Sequence, residues 1–429
     1  MRFLTTLQAL YLPGMPQISY RGQTMPVSPF RKLLPFADAA RQAGKIVYPL
    51  NIGQPDVLTP PEMMEAVRNA DVKVLSYGLG AGSESYRHKL AAYYQRAGIP
   101  AQFEHIMVTT AGSEAILFAM LTCLNPGDEV IVAEPFYGAY TAFAITAGVN
   151  IVAVTSYIED GFALPPLADF EAVITDRTRA ILICNPSNPT GYVYRRDELE
   201  ALLGLCIRHD LYLLSDEAYR EYCYDGAVST SVLSLEGSEP YAVVLDTISK
   251  RYSACGARVG AFVTRNLDVW QAAFHFGQMR ICPPALEMIA AEAAADLPPS
   301  YFDGTRAEYQ ARRDLTVARL RAIPGVTCPV PGGAFYVVAR LPVDDAEKFG
   351  QWLLEEFTLN NQTLMLSPAN GFYHTPGLGI QEVRIAYVIN RTDLAAAMTC
   401  LEAALRTYPG RTVHLASAAA VKVLYHSAL

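Results

Sequence analysis

The sequence predicts an α/β fold, in which a mostly parallel seven-stranded sheet carries helices on both faces and a smaller α+β domain follows it. Short apolar runs recur along the chain, and amphipathic helical patterns such as residues 195–210 separate most of them. Continuous apolar strands that alternate with helices are typical of a parallel sheet covered on both faces. The pattern changes after about residue 298. The seven candidate strands are residues 106–109, 130–133, 151–154, 180–184, 211–215, 242–245 and 260–263.

Composition limits the class of protein. The chain has 429 residues, of which 51% are hydrophobic and 18% charged, enough for roughly two or three domains. Its net charge of -8 argues against nucleic acid as a partner. The eight cysteines show no metal-binding spacing, which favours reduced thiols in the cytoplasm over a disulfide framework. We expect no membrane span and no export, because no run of about 18 apolar residues lacks charge or proline and no cleavage site follows the N-terminus.

Helix and turn signals precede the sheet. Residues 28–43 have apolar positions at helical spacing, and Gly44 is expected to end that helix. Residues 46–56 predict a short strand that runs into a turn. A second helix is predicted to open at Pro60 and Pro61, because proline is favoured in the first turn of a helix.

A glycine-rich loop with Gly78, Gly80 and Gly82 invites comparison with a dinucleotide-binding fingerprint. That fingerprint, G-x-G-x-x-G, requires a glycine where Ser83 stands, and no β-α-β unit precedes the loop. We therefore interpret the segment as a flexible loop that carries Tyr77.

The end of the predicted sheet and the C-terminal third differ in pattern from the rest. Residues 260–263 follow the preceding strand too closely for a helical crossover, so we expect an antiparallel pairing there. Residues 300–322 predict a long charged helix, and the segments after it predict strand, helix, strand, strand and helix. The predicted domains are an N-terminal arm (1–27), an N-terminal part of the small domain (28–60), the large domain (61–298), the C-terminal small domain (299–411) and a tail (412–429).

The stretch from 242 to 260 carries the strongest chemical signal. An apolar strand ends just before Lys250, and ligands of open α/β sheets bind beyond the carboxyl ends of the strands. Arg258 follows between Gly256 and Gly260, and a guanidinium can hold a phosphate in a two-point contact. A surface Lys and Arg after an edge strand would be the simpler interpretation of either residue alone. Together, a lysine able to form a Schiff base and a nearby phosphate-binding arginine favour pyridoxal phosphate chemistry.

Two other segments could bind the same group. Residues 108–116 predict a strand, a tight turn and a helix start, where the backbone N–H groups of Gly112, Ser113 and Glu114 would favour a phosphate. An ordinary helix cap would explain that turn equally well. Past the next strand, Tyr137 could stack on a planar ring, although it could also belong to the core.

Polar side chains also follow two central strands. Residues 184–191 contain two Asn-Pro pairs that fix a rigid turn, and Asn188 is placed to donate a hydrogen bond. Asp216 follows a buried strand, so its carboxylate requires a positive partner such as a protonated pyridine nitrogen, unless it caps the next helix.

Taken together, these segments resemble the class I/II aminotransferases, the fold-type I pyridoxal-phosphate enzymes. The matching motifs are NPSNPTG from residue 185, SDEAY from residue 215, SK-x-YS-x-x-G-x-R-x-G from residue 249, and VRIAYV from residue 383. The resemblance extends from about residue 18 to about residue 411. It implies pyridoxal 5'-phosphate as the cofactor, a homodimer with shared active sites, and amino acids and 2-oxo acids as small-molecule substrates.

The resemblance also implies a role for each matching residue. Lys250 is similar to the Schiff-base lysine that shuttles protons, Asp216 to the partner of the pyridine nitrogen, and Asn188 and Tyr219 to the residues that bind the phenolic oxygen. The phosphate group would be bound by Arg258, Thr247 and the turn at Gly112, Ser113 and Glu114, with Tyr77 reaching it from the neighbouring subunit. Tyr137 matches the stacking aromatic, with Phe136 as a rival, and Arg384 matches the clamp for the substrate α-carboxylate, aided by Gly53 and Asn188.

The substrate is the least determined expectation. Residues 367–379 are most similar to prokaryotic enzymes called aspartate aminotransferases, which indicates aspartate with 2-oxoglutarate. Residues 254–257 (Ala-Cys-Gly-Ala) stand where many relatives have a bulkier pair and a tryptophan before the arginine, so the side-chain pocket differs from the common pattern. No arginine can be assigned to the distal carboxylate, so an aromatic or broad-specificity aminotransferase comes next, followed by a β-eliminating lyase. A non-catalytic sensor of the cofactor would need a DNA-binding domain in front, and only about 30 residues precede the first predicted helix.

Overall fold

The computed structural model describes residues 16–28 and 31–412. Its strands are β1 (Ile46–Pro49), β2 (Ile106–Thr109), β3 (Glu129–Glu134), β4 (Asn150–Thr155), β5 (Thr178–Cys184), β6 (Tyr212–Asp216), β7 (Ala242–Thr247), β8 (Gly260–Thr264), β9 (Tyr336–Arg340), β10 (Gln362–Met365), β11 (Ser367–Pro368) and β12 (Glu382–Ala386).

The described α-helices surround these strands. They are α1 (Tyr20–Thr24), α2 (Leu34–Gln42), α3 (Pro61–Arg68), α4 (Glu84–Arg96), α5 (Ala111–Cys123), α6 (Ala139–Ala147), α7 (Leu167–Ala172), α8 (Arg196–His209), α9 (Ile248–Arg251), α10 (Leu267–Met279), α11 (Ala285–Ala294), α12 (Pro299–Arg321), α13 (Ala346–Glu355) and α14 (Arg391–Thr407). Within the described part of the chain, no helix is both long and apolar enough to cross a membrane.

The large sheet contains the seven strands that the apolar runs predict, and their order is β2-β8-β7-β6-β5-β3-β4. The five strands from β7 to β4 in this order run parallel to one another. β8 runs antiparallel to both β7 and β2, so the expected antiparallel strand is confirmed and lies inside the sheet rather than at its edge. The predicted α/β fold with a mostly parallel sheet is therefore confirmed.

The sheet is buried on both faces because its strands are apolar at successive positions. In β7, Ala242 and Val244 belong to one hydrophobic cluster, while Val243 and Leu245 belong to another. Successive side chains of a strand point to opposite faces. A strand apolar on both faces must therefore be covered by helices on both sides, which makes β7 a rigid support for the residues that follow it.

The C-terminal segments form a smaller unit with the expected element order. β9, β11 and β12 make an antiparallel sheet in the order β11-β12-β9. β1 pairs in parallel with β10, so the N-terminal segment adds a strand beside the C-terminal ones. The boundaries of the domains stay a prediction, and residues 1–15 and 413–429 of the predicted arm and tail lie outside the described residues.

The first predicted helix is shorter than expected. The sequence predicts it over residues 28–43, but α2 begins at Leu34. Pro35 lies in the first turn of α2, and a proline farther inside would clash with the carbonyl four residues earlier. The predicted end is correct, because Gly44 has a φ of +85° and its N–H donates to the Arg41 carbonyl.

Candidate active site

The register of the central strands brings three predicted site segments together. Cys184 at the end of β5 pairs with Asp216 at the end of β6, and Asp216 pairs with Leu245 near the end of β7. The turn with Asn188, the segment from Asp216, and the helix with Lys250 therefore leave the same edge of the sheet side by side.

Asp216 lies buried at this edge and has a perturbed pKa. Its side chain accepts hydrogen bonds from the Tyr140 hydroxyl at 2.9 Å and from the Ala218 N–H at 3.2 Å. Burial raises the pKa of Asp216 to about 6, although both hydrogen bonds act in the opposite direction. Among the ion pairs of the described residues, none involves Asp216. The carboxylate is thus held without a cation, in a position where a cationic group would be stabilised.

Arg384 enters the site from β12. Its Nη1 donates to Asn188 Oδ1 at 3.0 Å, and its Nη2 donates to the Asn51 carbonyl at 2.5 Å. The guanidinium is 2% exposed and stacks over the rings of Tyr336 and Phe372, at 4.4 and 4.9 Å from their centroids. Burial lowers the pKa of Arg384 from its usual value. A guanidinium whose plane is fixed by these contacts is suited to binding a carboxylate through two parallel hydrogen bonds.

The aromatic hydroxyls of the site form a chain with Asn188. The Asn188 amide nitrogen lies 3.5 Å from the Tyr219 hydroxyl, which is 2.8 Å from the Tyr336 hydroxyl. Gly53 is required beside Tyr336, because a β-carbon there would overlap the Tyr336 hydroxyl oxygen. The structure therefore brings Gly53, Asn188, Tyr219 and Arg384 into one cluster.

Lys250 points toward the same cluster from α9. Its Nζ donates to the Gly53 carbonyl at 2.8 Å and lies 3.7 Å from Cys255 Sγ. Gly53 thus lies between the Lys250 amine and the Tyr336 side chain. The contact joins the lysine to the residues that surround Arg384.

The predicted phosphate-binding residues meet around the start of α5. Gly112 and Ser113 lie in the first turn of this helix, where backbone N–H groups have no partner within the helix. Thr247 lies across from Gly112, whose β-carbon would be 3.5 Å from the threonine Cβ. Gly260 lets these segments approach, because a β-carbon there would lie 2.5 Å from the Ala111 carbonyl carbon and 2.6 Å from the backbone carbonyl oxygen of Asp246.

Arg258 and Glu114 flank this turn differently. Arg258 is exposed, has a φ of +53° and donates from Nη1 to the Cys255 carbonyl at 2.8 Å. The Glu114 carboxylate accepts from the Thr110 N–H at 2.7 Å and from Arg280 Nε at 2.8 Å. The Glu114 side chain is therefore engaged in capping α5, so any contact of this residue with an anion would have to come from its backbone N–H.

The two aromatic candidates pack against the same hydrophobic cluster but differ in exposure. Phe136 is buried in a hydrophobic cluster, whereas Tyr137 is partly exposed and its ring meets that of Tyr140 edge-on at 5.4 Å. Since Tyr140 bonds to Asp216, Tyr137 lies close to the carboxylate. The Phe136 ring also stacks on that of Tyr140, at 6.1 Å, so it is the greater exposure of Tyr137 that favours it over Phe136 as the residue that would face a bound ring.

Tyr77 lies at the surface of the single chain, with 80% of it exposed. Its neighbours Val74, Leu75 and Leu79 are also exposed, at 76%, 65% and 55%. The chain itself therefore gives Tyr77 no place among the clustered residues.

The family described as aminotransferase class I and II matches residues 45–419 of the sequence. This chain belongs to that family. Class I/II aminotransferases use pyridoxal 5'-phosphate as their cofactor. The site fits it, because a buried carboxylate without a cation suits a protonated pyridine nitrogen and the start of α5 suits a phosphate.

Relatives with different named activities share the family. An arginine–pyruvate transaminase of Pseudomonas aeruginosa is 34% identical over 73% of this chain and 80% of its own length. An aspartate aminotransferase of Thermotoga maritima is 30% identical over 90% of this chain and 98% of its own. The structure of an aspartate aminotransferase from Thermus thermophilus with maleate superposes with a TM-score of 0.83 at 29% identity, covering 91% of this chain and all of that one (100%).

Three residues of this aminotransferase site were not predicted from the sequence. The Tyr140 hydroxyl donates a hydrogen bond to Asp216. The Tyr336 ring lies between the Tyr219 hydroxyl and the Arg384 guanidinium, and the Asn51 carbonyl accepts a hydrogen bond from that guanidinium. Tyr140 follows Tyr137 by about one helical turn, a spacing that could have indicated it. No sequence signal marks Tyr336 or Asn51, because their roles depend on how β1 and β9 meet the large sheet.

Proposed function

We propose that this aminotransferase moves the amino group of an L-amino acid, with aspartate as the best candidate, to 2-oxoglutarate by a ping-pong mechanism. The observation that carries the proposal is the convergence of Lys250, Asp216 and Asn188 at three adjacent strand ends, with Arg384 bonded to Asn188. The cofactor, when bound, supplies an electron sink for the carbanion at the substrate α-carbon.

We assign a role to each residue of the cluster. Asp216 would hold the pyridine nitrogen protonated, while Asn188 and Tyr219 would donate hydrogen bonds to the phenolic oxygen. Arg384 would bind the substrate α-carboxylate beside Gly53. The substrate α-carbon would then lie within reach of the Lys250 amine, which would remove the proton there and pass it to the cofactor rather than back to the α-carbon.

The remaining residues would bind the rest of the cofactor. The N–H groups of Gly112, Ser113 and Glu114, the Thr247 hydroxyl and Arg258 would hold the phosphate, and Tyr137 would cover the ring. Their position at a helix N-terminus supports this assignment, because the helix dipole favours anions there.

The aspartate assignment rests on similarity and stays open to one alternative. The stretch 367–379 and the aspartate aminotransferases among the relatives support aspartate. An aromatic or broad-specificity enzyme is the second candidate, because Cys255, next to Lys250, and its neighbours Ala254 and Ala257 are small. The location we propose is the cytoplasm, which the eight free cysteines favour.

We further propose a homodimer with shared active sites. The exposed apolar residues around Tyr77 adjoin another exposed pair, Met279 and Ile281, since a β-carbon added at Gly80 would lie 3.4 Å from the Ile281 carbonyl oxygen. A contiguous apolar patch on a soluble chain indicates an interface, and most homo-oligomers are symmetric pairs. Sedimentation analysis should show a dimer that Leu75→Asp converts to monomer. A monomeric wild type that is fully active would contradict the proposal.

The test of the reaction uses the visible spectrum of the cofactor-loaded protein. Single amino acids are added in turn without any oxo acid. Aspartate or glutamate should convert the bound cofactor to its amino form, and 2-oxoglutarate should restore the original spectrum. Conversion by aromatic amino acids alone would favour the second candidate. Lys250→Ala should show no conversion, with Lys89→Ala on the surface of α4 as the control. A spectrum unmoved by every amino acid would contradict the proposal.

A further inference from the structure

A buried ionic cluster lies beside the helix that carries Lys250 and takes no part in the site described above. Its centre is Asp246, whose two oxygens accept from Arg251 Nη2 at 2.7 and 2.6 Å. The Tyr94 hydroxyl donates to the same carboxylate at 2.7 Å, and Arg220 Nη1 lies 3.4 Å away. Arg251 is 1% exposed, so its charge is fully withdrawn from water.

Two more carboxylates complete the cluster. Glu221 accepts from Arg251 Nε at 2.7 Å, and Glu217 accepts from Arg220 Nη2 at 2.8 Å. Two guanidiniums therefore face three carboxylates. Burial alone would raise the pKa of Asp246, but the charges of Arg251 and Arg220 outweigh it and lower that pKa to about 2. Asp246 stays ionised across the neutral range, so its contacts with the guanidiniums persist.

The cluster holds both ends of the short helix α9. α9 has four residues, far fewer than an isolated helix needs to be stable, so other contacts must fix its shape. Asp246 precedes α9 and Arg251 ends it, and the ion pair between them spans the segment that carries Lys250. Asp246 Oδ1 also accepts from the Thr247 N–H at 2.7 Å. The direction in which Lys250 leaves the helix is thereby tied to Arg251.

The same cluster reaches the neighbouring strand end. Glu217 and Arg220 belong to the segment after β6, which directly follows Asp216 and contains Tyr219. Because Arg220 also contacts Asp246, the segment after β6 and the segment after β7 are bonded to one another behind the site. A shift of one segment would disturb the other.

We propose that Arg251 is a positioning residue, which through Asp246 and Glu221 fixes the turn from which the Lys250 amine reaches the substrate α-carbon. The proposal rests on the proposed aminotransferase function. Its alternative is that the cluster only stabilises the fold. The two differ in one consequence: a positioning residue changes the chemical step at temperatures where the protein is fully folded.

The first variant is Arg251→Lys, which keeps the charge but loses the two-point contact of the guanidinium. We expect kcat to fall roughly 10- to 100-fold, since a misplacement of about 1 Å costs that much. The Michaelis constant for the amino acid should change less than about twofold, because the clamp at Arg384 is untouched. The matched control is Arg313→Lys in α12, a guanidinium with a 2% exposed side chain that pairs with Asp225. It should lower the melting temperature and leave kcat unchanged.

A second variant separates position from stability. Arg251→Met combined with Glu221→Gln removes one cation and one anion, so the formal charge of the cluster does not change. Replacing a buried ion pair by neutral groups often leaves stability near wild type, whereas Arg251→Met alone leaves a buried charge uncompensated. The double variant should therefore recover the melting temperature lost in Arg251→Met while its kcat stays low.

A third measurement needs neither cofactor nor turnover. Hydrogen–deuterium exchange of the cofactor-free protein should be faster for the amides of residues 247–252 in Arg251→Lys, with the amides of β6 less affected. A wild-type kcat in Arg251→Lys, or a kcat that returns with the melting temperature in the double variant, would overturn the positioning role. If wild type converts no amino acid, the proposed function fails instead, and unchanged exchange at residues 247–252 would still refute the proposal.

Discussion

Replacing Asp216 by asparagine should stabilise the cofactor-free protein while abolishing its activity. The carboxylate is buried, accepts hydrogen bonds from the Tyr140 hydroxyl and the Ala218 N–H, and has a pKa raised by burial to about 6. An aspartate in the unfolded chain has a pKa of about 3.9. The shift of roughly two units corresponds to about 3 kcal/mol by which the ionised carboxylate disfavours folding.

The sign of the pH dependence follows from the raised pKa. Between about pH 4 and 6 the folded protein holds a proton that the unfolded chain has released, so stability falls as the pH rises through this window. Above pH 6 the Asp216 carboxylate is ionised in both the folded and the unfolded protein, so the full destabilisation of about 3 kcal/mol applies. The asparagine in Asp216→Asn does not ionise, so the variant is free of this destabilisation at every pH. The gain in unfolding free energy should therefore grow from about 1 kcal/mol at pH 4.5 to about 3 kcal/mol at pH 7.5.

Urea unfolding of both cofactor-free proteins across this pH range measures the difference directly. The control is Asp176→Asn, which replaces an exposed residue in the turn before β5 and should change stability little. A difference between wild type and Asp216→Asn that is flat with pH would refute the argument from burial. The same would follow if Asp216→Asn were the less stable protein at pH 7.5.

Three further substitutions test the site. Arg384→Ala should weaken carboxylate binding by about 2–5 kcal/mol, seen as a Michaelis constant at least about 30-fold higher. Gly53→Ala should lower both stability, by about 1–3 kcal/mol, and kcat, because its β-carbon would displace the Tyr336 hydroxyl; unfolding and turnover measurements check it. Tyr140→Phe removes a hydrogen bond that lowers the pKa of Asp216, so that pKa rises and the acid limb of the kcat–pH profile should move up by about one unit.

Each of these has a matched control in the same molecule. Arg340→Ala removes a guanidinium from β9 that pairs with Glu382, and the Michaelis constant should not change. Gly304→Ala places a β-carbon in open space on α12 and should leave the protein as stable or more so. Tyr408→Phe removes a hydroxyl bonded to Asp344 at 2.9 Å, and the kcat–pH profile should stay where it is. Equal effects in a variant and its control would show that the site contact has no special role.

The sequence predicts what depends on the strands themselves. The apolar runs identify all seven strands of the large sheet, since a strand buried on both faces must be apolar at consecutive positions. Polar residues just after such runs must then lie at one edge of the sheet, which is why the sequence alone is enough to group Asn188, Asp216 and Lys250.

Contacts between distant segments could not be predicted in this way. The hydrogen bond from Arg384 to Asn188 joins residues 196 positions apart, and the clash that requires Gly53 depends on a tyrosine in β9. The predicted start of the helix over 28–43 is wrong for a local reason, because the apolar spacing continues upstream of Pro35 whereas the proline restricts the helix to a start close to it.

Arg251 illustrates a different limit. Beside Lys250, a second basic residue in the sequence is typical of a solvated surface, and nothing in the pattern distinguishes it. On a helix, however, consecutive side chains point about 100° apart. Lys250 therefore faces the Gly53 carbonyl while Arg251 faces Asp246 and Glu221. The adjacency that makes the pair look like one charged surface patch is what places one residue in the site and the other in the cluster behind it.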